Sequence, residues 1–214
     1  MKRSVFLYLI SSFVISCSSG QNSPKENQQQ TSNQETTDEN TCSWCGTSEA
    51  PENVTWNAEI PIVGESKEIL MISGTVYLQD GKTPAKDVII YVYHTNSEGI
   101  YPKNGDETEN GKYHGYLRAW MKTDSSGRYQ FETFRPAPYN SHEGEPAHIH
   151  YNVQAPGYPE YWLTALWFDG DPRITDEYLK KIERSGGFSN VTTLTLDSNN
   201  VLQGERNIIL EEFD

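Results

Sequence analysis

Helical periodicity is almost absent from this chain, and its apolar residues come instead in short, β-branched runs bounded by turn residues. Runs of that kind bury their faces by stacking sheets, not by packing helices. Residues 68–78 read as one strand, closed by the turn Gln79-Asp80-Gly81-Lys82. Residues 87–94 read as a second, apolar enough to be central. Residues 117–123 and 128–134 flank Asp124-Ser-Ser-Gly127 and predict a hairpin. Residues 147–154 and 161–168 follow, joined by Ala155-Pro-Gly-Tyr-Pro159, and residues 191–196 and 207–212 close the chain as strands. One helix is expected over 176–184, with acidic residues in its first turn and Gly186-Gly187 as its stop. The fold class is all-β: short, mostly antiparallel strands in a sandwich or barrel. Two long loops, 95–116 and 136–146, are where a rigid scaffold of this kind would carry a site.

The N-terminal residues read as an export signal. Lys2-Arg3 forms a positive start, and the apolar stretch from Val5 to Ile15 is too short to span a bilayer. It ends in Val14-Ile15-Ser16-Cys17, which resembles a bacterial lipobox. Residues 1–16 are thus expected to be removed, and Cys17 to carry lipid that anchors the protein to the cell envelope. Ser18 after it is compatible with the outer membrane. Residues 17–41 are Gln, Asn, Ser, Thr and Glu with no large apolar side chain, so a disordered tether is expected. Residues 42–214 have the length of one domain. With 30 acidic against 17 basic residues, the formal net charge is −13, which argues against nucleic acid as a partner. Self-association is left open. Cys42-Ser-Trp-Cys45 has redox-motif spacing but follows a tether rather than a strand, so a small structural disulfide is expected.

The chemistry concentrates between Arg135 and Tyr151. On a strand, His148 and His150 point to one face while Ile149 turns away. Such a pair serves equally as hydrogen-bonded polar side chains or as metal ligands. With Tyr139 a short loop upstream, imidazole and phenolate together suit iron or copper better than calcium or magnesium.

Several segments, in order, resemble the intradiol ring-cleavage dioxygenases, non-haem iron(III) enzymes that open catechols between their hydroxyls. They are Ser73-Gly-Thr-Val76 with Pro84, Val92 to Tyr101, Leu117 to Phe131, Arg135-Pro-Ala-Pro-Tyr139, Pro146-Ala-His-Ile-His150 and Leu163 to Asp171. The resemblance implies a β-sandwich, a ferric ion, a small aromatic diol and O2 as substrates, and four ligands: Tyr101, Tyr139, His148 and His150. It implies that Tyr139 leaves the metal when a catecholate binds and carries off a substrate proton. Tyrosinates stabilise iron(III), and the ion in turn brings the phenols well below their usual pKa.

The chain departs from the family pattern twice. Glu145 stands where members commonly carry arginine before Pro-Ala-His-x-His, and Thr164-Ala165-Leu166 lacks the usual glutamine. A carboxylate there opposes an anionic intermediate. His142 is the residue expected to fill part of the missing cationic role. Arg118 matches an arginine of the family's Leu-Arg motif, and Arg135 lies beside the site loop; either serves equally as an ion-pair residue. His94 and His114 match no ligand position and read as ordinary polar residues. Three functions follow: an exported intradiol dioxygenase, an iron-binding but inactive ligand-binding module, or a metal-free interaction domain.

Overall fold

A computed structural model describes residues 42–62, 68–140, 144–180 and 182–212, and within them the short apolar runs form two stacked sheets. The expected export signal, Cys17, the tether and His142 lie outside the described residues. No helix among the described residues is long and apolar enough to cross a membrane.

One sheet runs β1 (Asn57–Glu59), β5 (Arg128–Phe134), β2 (Ile69–Tyr77), β10 (Leu202–Glu205) and β9 (Thr195–Leu196), with β11 (Ile208–Ile209) extending β2. The other runs β4 (Arg118–Lys122), β3 (Ile89–His94), β6 (His148–Gln154), β7 (Tyr161–Phe168) and β8 (Val191–Thr192). Alternation sends Leu70, Ile72 and Val76 of β2 inward to meet Ile149, Tyr151 and Val153 of β6, all of them buried. Tyr151 meets both Tyr129 and Phe131 edge-on across the gap, with ring centroids 6.4 and 6.2 Å apart. A charged side chain is buried against this core: the Arg206 guanidinium sits 4.4 Å above the Tyr151 ring and donates to the Thr164 carbonyl at 2.6 Å.

The β-sandwich expected from the strand pattern is the observed architecture. Five details differ. The turn at Asp124–Gly127 does not close a hairpin within one sheet: β4 pairs with β3, and β5 with β2, so the turn carries the chain between layers. Residues 191–196 are two strands in different sheets, because β8 pairs with β7 and β9 with β10. The helix is only Asp176–Leu179; by Arg184 the chain has turned to exchange hydrogen bonds with Thr164, which pulls it out of helical register. Finally β1, β8, β10 and β11 pair in parallel at or near the edges, where short pairings follow chain returns that no local pattern encodes. The four-residue helix Gly111–His114 (α1) was also not anticipated.

Cys42 and Cys45 are joined as a disulfide. The segment it closes is pinned to the outward face of the β4-β3-β6-β7 sheet: Gly46 N donates to Asn152 Oδ1 at 3.2 Å, and Trp120 Nε1 donates to the Gly46 carbonyl at 2.6 Å. A single 3-10 turn, Thr47–Glu49, follows the pair. The arm that the disulfide closes borders the face on which the histidines lie.

Candidate metal centre

His148 and His150 project outward from β6, on the side opposite the sandwich core, and the two long loops bring Tyr101 and Tyr139 over them. The four side chains expected as ligands converge. Tyr101 Oη lies 2.5 Å from Tyr139 Oη, Tyr139 Oη lies 2.8 Å from His150 Nε2, and His150 Nε2 lies 3.0 Å from His148 Nε2.

Backbone geometry explains why the loops meet. Gly99 has φ +74, and a Cβ there would stand 2.1 Å from the Pro138 carbonyl oxygen. The loop leading to Tyr101 therefore packs backbone to backbone on the loop leading to Tyr139, and Asn140 N donates to the Gly99 carbonyl. Thr95 Oγ1 donates to the Ala137 carbonyl at 2.6 Å, adding a second tie. Behind Tyr101, Gly115 (φ +69) allows Tyr116 N to donate to the Pro102 carbonyl at 3.0 Å.

The histidines are oriented by the backbone and by stacking. The His148 Nδ1 faces the Pro146 carbonyl at 2.7 Å. A carbonyl only accepts, so that nitrogen carries the hydrogen and Nε2 is left with its lone pair directed at the cluster. This partner for the second ring nitrogen is what metal-ligating histidines commonly have. His150 stacks on Tyr93 at 4.5 Å, and Tyr93 stacks in turn on His114 at 3.7 Å. His114 Nδ1 is 2.9 Å from the Tyr91 hydroxyl, while His94 is buried between the Thr95 carbonyl and Thr133. His114 and His94 thus support the sheet behind the cluster.

Electrostatics keep the cluster neutral without a metal. Burial pushes the Tyr101 phenol far above its ordinary value, and the neighbouring Tyr139 and Glu145 add to it. Burial takes Tyr139 up to about 12, its bond to Tyr101 opposing the rise and Glu145 adding to it. Burial lowers His148 and, more strongly, His150, which the neighbouring histidines depress further. Two neutral imidazoles and two phenols, linked in a chain of contacts of 2.5–3.0 Å, form a donor set with no cation among them to compensate phenolates.

This set fits a ferric ion. Donors bonded to one ion at roughly 2.0–2.2 Å lie about 3 Å from each other, the spacing seen here. Among the described residues no group of three His, Cys, Asp or Glu side chains could hold a metal. An ion at this place would take Tyr101 and Tyr139 as phenolates beside His148 and His150, donors that a hard trivalent cation favours.

Arg118 lies against the 3-10 turn. Its guanidinium is 3.2 Å from Glu49 Oε2 and 5.0 Å from the Trp120 ring, tying β4 to the 3-10 turn. Arg135 is exposed and lies over the Phe168 ring at 5.3 Å. Asp171, at the end of a matched segment, has no local sequence signal for a role at the site. Its buried carboxylate accepts from Ala147 N at 3.0 Å and from Arg173 N at 3.0 Å, fixing the backbone just before His148. Asp171→Ala is expected to lower iron affinity roughly tenfold. Asp171→Asn, whose side-chain oxygen still accepts from Ala147, is expected to retain most of it in the same metal titration.

His114 gives a pH signature. Burial takes it from 6.5 down to about 4, with Arg118 adding to the shift. As pH falls, the unfolded chain takes up this proton before the folded one does. Stability from this group is therefore complete above about pH 6.5 and lost between there and pH 4. His114→Gln is expected to flatten the stability profile of the metal-free protein by about 2 kcal/mol between pH 7 and pH 5, measured by urea unfolding.

A family model described as "Dioxygenase" matches residues 49–208. A chlorocatechol 1,2-dioxygenase of Cupriavidus pinatubonensis is 34% identical over 131 residues, 54% of this chain and 49% of that protein. The catechol 1,2-dioxygenase 2 of Acinetobacter lwoffii is 29% identical over 126 residues, 52% of this chain and 44% of that one. The chain thus spans about half the length of the curated relatives it matches. Among solved structures, the wild-type catechol 1,2-dioxygenase of Acinetobacter radioresistens superposes with a TM-score of 0.57 at 26% identity, covering 76% of this chain and 59% of that one. The dioxygenase domain of a dioxygenase carbohydrate-binding protein fusion from Streptomyces sp. SirexAA-E superposes with a TM-score of 0.56 at 21% identity. It covers 75% of this chain and 91% of the other, and supports the fold alone.

Proposed function

Since the chain belongs to the intradiol dioxygenase family, we propose that it is an iron(III) enzyme that opens a catecholic ring between its hydroxyls with O2. The observation that carries this reading is the convergence of Tyr101, Tyr139, His148 and His150 through contacts of 2.5–3.0 Å. When bound, ferric iron supplies the Lewis acidity that ionises a catechol and readies its ring for reaction with dioxygen.

The protein's own groups do the rest. His148, locked by Pro146, and His150, stacked on Tyr93, present neutral nitrogen donors that need no rearrangement. Tyr101 is held between the Gly99 and Gly115 contacts and stays fixed. Tyr139 sits at the end of the loop with its hydroxyl between Tyr101 and His150. Tyr139, ionised when iron is bound and placed at the mouth of the cluster, would be the group to take a catechol proton.

Anaerobic titration of the iron-loaded protein with catechol tests this reading. The expected result is a shift in the visible phenolate-to-iron absorption on binding, then ring-opened dicarboxylate on admitting oxygen. Binding without product would instead support an inactive binding module, which the carboxylate of Glu145 beside the phenols favours. Export and lipidation complete the proposal: incorporation of labelled fatty acid in a bacterial host should be lost in Cys17→Ala. No lipid in the unaltered protein would remove the anchor from the account.

A further inference from the structure

A cavity of about 380 Å³ opens beside His150 on the outward face of the sheet. Its walls include Trp44, held by the Cys42–Cys45 arm, and Trp162 and Trp167 from β7. Its charged lining is all of one sign: Glu145 and Glu183 contribute carboxylates, and no described lysine or arginine lines it. Neither glutamate forms an ion pair with another described residue. Glu145 shares this cavity with His150, so its carboxylate stands on the side of the candidate metal centre. Arg184, outside the lining, lies over the Trp162 ring at 5.2 Å and reaches Glu211 at 3.5 Å, so one face of that indole already carries a cation.

Indole faces and carboxylates are the two groups that attract an organic ammonium, through the ring quadrupole and through direct charge. They repel a carboxylate. A cavity of this size accommodates a substituted ring with its side chain beside a donor cluster.

Building on the catechol-cleaving reading, we propose that this cavity selects catechols bearing a positively charged alkylammonium side chain, with Glu145 and Glu183 as the specificity-determining residues. At pH 7 such an amine, with a pKa near 10, is protonated. The ring diol would face the tyrosine–histidine cluster, and the ammonium group would lie among the tryptophans and the two carboxylates.

The test is calorimetric titration of the iron-loaded full chain under nitrogen with three probes of similar shape. They are 4-(2-aminoethyl)catechol, neutral 4-ethylcatechol and anionic 3-(3,4-dihydroxyphenyl)propanoate. The ammonium probe is expected to bind roughly five- to tenfold more tightly than the ethyl probe, the sum of an exposed cation–π contact and partly screened charge attraction. The anion should bind more weakly than either. Glu145→Gln and Glu183→Gln should each reduce the preference, and both together should remove it. Raising the salt concentration should erode it in the unaltered protein, a readout that needs no variant to fold. Equal affinities, or a preference for the anion, would overturn the proposal whether or not any probe is turned over. An ammonium preference with no ring-opened product after oxygen would uphold the selectivity and overturn the catalytic reading. Failure of all three probes to bind would overturn both.

Discussion

His150→Ala is expected to abolish iron binding, with affinity falling by more than about a hundredfold. Loss of supporting groups around metal ligands alone costs 10–100-fold, and this residue is a donor itself. Its Nε2 is the contact point of the cluster, 2.8 Å from the Tyr139 hydroxyl and 3.0 Å from His148 Nε2. Removing it also uncovers the Tyr93 ring on which it stacks. A His150→Gln variant separates the two effects by keeping bulk on that ring while replacing the imidazole. Both variants should fold, and both should lack the visible absorption of an iron-loaded protein. One equivalent of tightly held iron in either, with unchanged colour, would show that the ion binds elsewhere.

Gly99→Ala is expected to destabilise the domain by at least about 3 kcal/mol. A left-handed backbone costs a side-chain-bearing residue roughly 1–2 kcal/mol. The new Cβ would also meet the Pro138 carbonyl oxygen at 2.1 Å and the Asn140 nitrogen at 2.7 Å, both of them backbone. The loops of Tyr101 and Tyr139 must then separate, which costs further packing. For a domain of this size the melting temperature should fall by roughly 10 °C. Because the same contact holds the two phenols together, iron affinity should fall with it. Melting and metal titration on one preparation check both. A variant that melts with the unaltered protein and binds iron normally would mean that the two loops are not held by this contact.

Much of this architecture is written locally in the chain. The alternation in β2, β5, β6 and β7 placed those strands to within a residue or two, because each buries one face on the opposing sheet. What no local pattern encodes is partner choice. Asp124-Ser-Ser-Gly127 has the residues of a hairpin turn, yet the flanking strands join different sheets. Edge strands as short as Ile208–Ile209 are defined by what they pair with, here β2 in parallel. At the site, the His-x-His spacing specified a shared face for His148 and His150. That Tyr101 would reach them from 47 positions before His148 depended on Gly99 and Gly115, whose role is visible only once two loop backbones are seen in contact. Asp171 was hidden for a similar reason: its partner, the Ala147 amide, is distant in sequence. Arg118 shows the converse. Its motif position suggested the site, and the folded chain gives its charge to Glu49.

The central claim is oxygen insertion between the two hydroxyl-bearing carbons of a catechol by an iron-loaded protein. A single turnover under ¹⁸O₂, with the product identified by mass, tests it most directly. The account predicts a ring-opened dicarboxylic acid that carries label in both new carboxylates, and no such product from His150→Ala. A semialdehyde from cleavage beside the diol, or unchanged catechol on protein that demonstrably holds both iron and substrate, would contradict it.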